Sequence, residues 1–220
     1  MTVNEFITRL LDINQPMSDN PVRFSTIVLL IKGARKLSGC NIITGKYEMN
    51  EINEESFSDL TYHSFQYTGL INYLILLEQL GGIFKPINKD KIEQTNGIFC
   101  SLKYFTNLEE NKIKAIKALR NSLAHKFGLA TEKSPGIKPP MKFIISIERN
   151  NEVIKLPNED WNGDFTDKTL ETSTTIYLID LIELVEKVFF KIIKEHQDNN
   201  LELILKDGIN ELMTRFTIIY

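Results

Sequence analysis

The chain has 220 residues, 42% of them hydrophobic and 25% charged, which suits one globular domain able to bury a proper core. Acidic side chains number 29 against 26 basic ones, and the resulting net charge of −3 argues against a protein that coats nucleic acid through its whole surface. Two cysteines, Cys40 and Cys100, are too few for a disulfide framework or a structural zinc site, and they read as small buried hydrophobes in a reducing compartment.

The stretch from Met1 to Leu11 has acidic and polar residues and no long apolar core, so no signal peptide is expected there. Phe6 to Ile13 is expected to form a short helix, closed around Pro16 and Pro21. A second helix should open near Pro21, present Phe24, Ile27, Val28 and Ile31 on one face, and stop at Gly39. Arg35 and Lys36 lie near its C-terminus, where the helix dipole favours cations. Asn41 to Asn53 is polar and irregular, a connecting loop. Ser56 to Leu80 reads as a long helix stopped by Gly81-Gly82. His63, among Tyr62, Phe65 and Tyr67, fits either a base-stacking cluster or an aromatic packing layer, and packing is the expectation. Lys89 to Phe105 is a weaker helical stretch, interrupted by Gly97.

Leu108 to Phe127 is the most informative element. Asn107 is placed to cap it, Glu109 and Glu110 sit in its first turn, and Gly128 should end it. At about 100° per residue, with Lys114 at zero, Ala115, Leu119, Leu123 and Ile116 fall between roughly 100° and 200°. Lys117, Asn121, Lys114 and His125 cluster within roughly 80° on the far side, with Arg120 on the flank about 100° from Asn121. No acidic residue lies between Asn111 and Lys126. A basic, hydrogen-bonding stripe ending in an imidazole is therefore set against an apolar face. By spacing alone the ordinary reading is a solvated surface with cations at the helix C-terminus, and the alternative is a phosphate and proton-transfer site.

Beyond Gly128, Thr131 to Pro140 contains Pro135, Gly136, Pro139 and Pro140 and should be a loop. Met141 to Ile147 alternates and is followed by Arg149-Asn150-Asn151-Glu152 and Val153 to Leu156, which predicts a β-hairpin. The last long helix is expected from Asp167 or Thr169 to about His196, and Leu201 to Phe216 adds a short one broken near Gly208. The apolar stretch Ile176 to Ile193 is interrupted by Asp180, Glu183, Glu186, Lys187 and Lys191, so it is amphipathic and too polar for a membrane span. A cytoplasmic protein is expected. The predicted architecture is all-α: one domain over residues 1–220, an antiparallel bundle of about five or six helices with a loop and β-hairpin inserted at 131–165.

Arg120-Asn121-Ser122-Leu123-Ala124-His125 resembles the Arg-polar-x3-His signature of the HEPN superfamily. The resemblance implies a HEPN-like bundle and a composite ribonuclease site at a homodimer interface. Arg120, Asn121 and His125 would be catalytic, and Lys114, Lys117 and Lys126 would attract RNA phosphates. The implied reaction needs no metal or other cofactor, and RNA and an antitoxin protein are the implied partners, as for a toxin–antitoxin or phage-defence effector. The competing expectation is a HEPN module that binds nucleic acid or protein without cutting.

Overall fold

The computed structural model describes residues 2–14, 23–48, 60–93, 96–131 and 139–219. Among these the helices are α1 (Val3–Leu11), α2 (Thr26–Leu37), α3 (Leu60–Ile83), α4 (Gly97–Phe105), α5 (Glu110–Lys126), α6 (Leu178–Gln197) and α7 (Gly208–Phe216). The strands are β1 (Arg23–Ser25), β2 (Phe84–Pro86), β3 (Lys142–Ser146), β4 (Ile154–Lys155), β5 (Ser173–Tyr177), β6 (Leu201–Leu203) and β7 (Thr217–Ile219). The chain is thus mixed α/β, and the expected all-α bundle is corrected. Three small sheets, ordered β1-β7, β2-β6 and β3-β5-β4, join the helices. The strands of the first two are three residues each, too short to stand out as alternating runs in the sequence.

The chain divides into two compact units, Met1–Thr106 with Val185–Tyr220, and Asn107–Leu184. In the first, Leu70, Tyr73, Leu74, Leu76, Leu77, Leu80 and Ile83 bury about half of the circumference of α3, and α2 and α4 pack against it. The side chains of Tyr62, His63 and Phe65, and with them the aromatic layer expected there, lie outside the described residues. Local caps fix the ends of the surrounding helices. Thr2 and Glu5 form a capping box on α1, Ser25 caps α2 through the Val28 amide, and Asn96 caps α4 through the Phe99 amide. The Ser25 hydroxyl also donates to the Leu10 carbonyl at 2.7 Å, tying α1 to the start of α2.

Gly81 and Gly82 do not stop α3, which continues to Ile83. Gly81 is there for a close crossing: a Cβ on it would collide with the Gly97 carbonyl, and a Cβ on Gly97 would collide with the Glu78 carbonyl. Both obstacles are backbone and cannot rotate away. Gly97→Ala is therefore expected to lower stability by about 1–3 kcal/mol through overpacking. Gly82→Ala, with nothing within 4 Å, should be neutral or stabilising. Chemical denaturation of the two variants checks this contrast.

Arg35 lies in the last turn of α2, as expected, but not at the surface. It is fully buried, its Nε and Nη2 donating to the two Glu186 carboxylate oxygens at 2.8 and 2.7 Å. Its Nη1 donates to the Ile42 and Ile43 carbonyls, and the guanidinium lies 5.5 Å from the Phe190 ring centroid. Tyr73 donates its hydroxyl to Glu186 at 2.7 Å, and burial first, then the Glu186 charge, push that phenol far above its ordinary range. The loop after α2 closes on this cluster so tightly that a side chain at Gly45, whose φ is +69°, would strike the Glu186 carboxylate.

His196, in the last turn of α6, docks on α1. The Thr8 hydroxyl donates to the Asn4 carbonyl at 2.9 Å, so its lone pair receives the Nε2–H of His196, also at 2.9 Å. Burial lowers the pKa of this imidazole, opposed by a hydrogen bond to the Asn4 backbone. With the folded pKa depressed, the unfolded chain binds more protons once the pH falls below about 6.5. The ring's contribution is thus whole above that pH and fades as the pH drops through the folded value. Wild-type melting temperature should fall more than that of His196→Asn between pH 7.5 and pH 5, and equal slopes would contradict this.

In the second unit the predicted hairpin is replaced by a three-stranded sheet. β3 and β4 do not pair with each other. Both pair with β5, β3 in parallel from Lys142↔Ser173 to Ser146↔Tyr177 and β4 antiparallel at Ile154↔Ile176. The β-branched run Thr174-Thr175-Ile176 gives β5 its preference for extended backbone, so α6 starts at Leu178 and not at Asp167 or Thr169. The intervening turn, with Asn151 at φ 58°, is held on the first turns of α6: the Asn150 amide donates to Asp180 at 3.0 Å and Arg149 to Glu183 at 2.7 Å.

Candidate functional site

α5 carries the stripe. Ala115, Ile116, Leu119 and Leu123 are buried, Lys114 and His125 are exposed, and Lys117 and Asn121 are half-buried. The buried sector is wider than those four residues mark out. Ala118, Ser122 and Ile113 are buried as well, so on the helical wheel burial runs from roughly 40° to roughly 260°. Arg120, at roughly 240°, falls inside that arc. It is half-buried, and its Nη1 donates to Asn121 Oδ1 at 3.2 Å, which turns the guanidinium towards the stripe. Asn121 in turn lies one helical turn before His125.

The start of α5 differs from the expected one. Its N-cap is Glu109, without a side-chain hydrogen bond, and Asn107 lies outside the helix. Glu110 is the acid in the first turn and pairs with Lys114 at 2.6 Å. Both partners are about half exposed, so the pair contributes little and a phosphate could replace the carboxylate. Lys126 is exposed in the last turn. Lys114, Lys117, Arg120, Asn121, His125 and Lys126 are thus all carried by one helix.

The C-terminus of α5 is more heavily fixed than the sequence indicates. The left-handed residue is Phe127, at φ 50° and ψ 33°, and not Gly128. Its N–H donates to the Leu123 carbonyl at 3.0 Å, and the Gly128 N–H reaches the Ser122 carbonyl at 3.4 Å. The buried Ser122 hydroxyl shares its proton between the carbonyls of Gly128 and Ala130, at 2.8 and 2.7 Å. Ala130 then bridges Lys142, and Phe143 donates to the Leu129 carbonyl at 2.7 Å, so the segment after the motif is bonded to β3. Lys142 pairs with Asp167 at 3.1 Å. Thr172, Thr169 and Lys142 all donate to that carboxylate and hold its pKa well below the usual range.

No family model, curated protein or solved structure matches this chain. The candidate site therefore rests on its own geometry: a half-buried guanidinium, an amide bonded to it and an exposed imidazole one turn on. Ser122 and Phe127 are the residues that sequence reasoning missed. Ser122 occupies the middle of the motif as if it were a spacer, and its only sequence signal is a small polar residue two turns before the exit loop.

Proposed function

We propose that the chain is a metal-independent endoribonuclease of the HEPN type, built on α5. The observation that carries this reading is the Arg120–Asn121 hydrogen bond beside an exposed His125 on the same helix. A neutral imidazole can take the proton from a ribose 2′-hydroxyl. The 2′-oxygen then bonds to the adjacent phosphorus, the P–O5′ bond breaks, and the products are a 2′,3′-cyclic phosphate and a 5′-hydroxyl. Arg120 stabilises the charge on the phosphoryl oxygens through its forked donors, with Asn121 holding that fork. The departing 5′-oxygen needs a proton, and α5 carries no second imidazole to give it. A symmetric second copy supplies it as His125 of the other chain, and with it a second Arg120. Lys114, Lys117 and Lys126 add sequence-independent phosphate attraction.

The test is incubation of the purified chain with RNA in chelator, alongside its state of assembly. Cleavage is expected from a dimer of twice 25.4 kDa. A mixture of Arg120→Ala and His125→Ala chains should regain part of the activity that each lacks alone. A fully active monomer would refute the composite site. The half-burial of Arg120 favours a second reading, a non-catalytic RNA- or protein-binding module, and RNA binding without any cleavage would establish it in place of the enzyme. As an active ribonuclease, the chain would fit the role of a toxin restrained by an antitoxin protein, or of a phage-defence effector.

A further inference from the structure

Ile43 and Phe190 are large apolar side chains that stay 50% and 41% exposed, and both line one cleft of about 320 Å³ in the first compact unit. Exposed apolar residues are ordinary one at a time, but these two are fixed from behind by the same buried group. Arg35 donates its Nη1 to the Ile43 carbonyl at 2.9 Å, and its guanidinium lies over the Phe190 ring. The buried Leu11 and Ile13, with Ile193, complete an apolar lining. Walls held in place before anything binds lose little freedom on binding, as a small-molecule site requires.

The polar lining has one sign. Asp12 is the C-cap of α1, and Ile193, His196 and Gln197 belong to the last turns of α6, so two helix C-termini meet at this cleft. Each brings the negative end of its dipole. Arg9 and Lys194, the basic residues of the same last turns, are not among the described lining residues, which leaves Asp12 as their one ionised group. Its carboxylate is half-buried: Oδ1 accepts from the Asn14 amide at 2.9 Å, and among the described residues nothing donates to Oδ2. His196, its Nε2–H given to Thr8 and its pKa lowered by burial, adds no positive charge at pH 7.5.

We propose that this cleft binds a small organic cation, a protonated amine on a flat apolar body, with the ammonium on Asp12 and the body against Ile43 and Phe190. At about 30 Å³ for each liquid-packed water, the space suits on the order of ten non-hydrogen atoms. The cleft shares no residue with α5, so its occupancy stands apart from the ribonuclease reading.

Three indoles titrated calorimetrically at pH 7.5 test this: tryptamine, a cation; tryptophol, the same body ending in a hydroxyl; and indole-3-acetate, an anion. Wild type should bind tryptamine with a Kd on the order of 10⁻⁴ M, tryptophol about tenfold more weakly and the anion more weakly still. Asp12→Asn keeps an oxygen for the Asn14 amide and should lose roughly tenfold for tryptamine, the lower end for a hydrogen bond between charged groups, because Asp12 is only half-buried. Its unchanged tryptophol binding would show that the cleft is intact. Ile43→Ser, at an exposed position, should melt near wild type and weaken tryptamine and tryptophol alike. Tryptamine binding indifferent to Asp12→Asn, equal loss of tryptamine and tryptophol in that variant, or an anion bound as tightly as the amine would each overturn the cation assignment. A wild-type chain that binds none of the three would remove the site and leave the nuclease reading to its own tests.

Discussion

His125→Ala is expected to cut RNA about 10²–10⁴-fold more slowly than wild type, the range that a positioned general acid–base contributes. In a composite dimer the substitution removes the base from one copy and the acid from the other, so the upper part of that range is expected. The side chain is exposed and accepts no buried partner, so stability should change by less than about 0.5 kcal/mol. Activity should therefore disappear from a chain that melts normally. Arg120→Ala should also be nearly inactive, whereas Arg120→Lys keeps a charge but not the planar fork that bonds Asn121 at 3.2 Å. Some activity above Arg120→Ala but well below wild type is expected of the lysine variant. Single-turnover cleavage rates with circular dichroism melts on the same preparations check both halves of this expectation. Retained cleavage by His125→Ala would remove the imidazole from the mechanism.

The largest effect on stability is expected at Glu186. Its carboxylate accepts from Arg35 Nε, Arg35 Nη2 and the Tyr73 hydroxyl, and Arg35 is fully buried. Glu186→Ala would leave a guanidinium inside the protein with no carboxylate, held among the described residues by the Ile42 and Ile43 carbonyls and the Phe190 ring, at a cost of about 3–5 kcal/mol. Tyr73→Phe removes one hydrogen bond and should cost about 1–2 kcal/mol. Arg35→Met combined with Glu186→Leu removes both charges together, and much of the single-variant loss should return. Urea denaturation of wild type, Arg35→Met, Glu186→Leu and the double variant gives the coupling directly. A double variant no more stable than Glu186→Leu would mean that shape, and not uncompensated charge, sets the cost.

The motif helix was legible because its pattern is local. Four apolar positions at helical spacing and a basic stripe opposite them define a face without reference to the rest of the chain. The half-burial of Arg120 follows from Ile113, which lies at roughly 260° and closes the buried arc on that side, so it becomes legible only when the stripe is set against Ile113 as well as the four central apolar positions. β5 was hidden for a different reason. Ile176, Ile179 and Ile182 continue a helical spacing backwards into a β-branched run, and only pairing with β3 and β4 makes that run a strand. Alternation located the two flanking strands but could not say that each would choose a third partner. Arg35 and Glu186 meet across 151 positions, and nothing near either residue signals the other.

The most direct measurement is the chemistry of the RNA ends produced in the presence of chelator. Attack by the 2′-hydroxyl, with His125 moving the proton, leaves 2′,3′-cyclic phosphate and 5′-hydroxyl termini from wild type and none from His125→Ala. Products bearing 5′-phosphate and 3′-hydroxyl ends, or cyclic ends that persist in the His125→Ala chain, would contradict it.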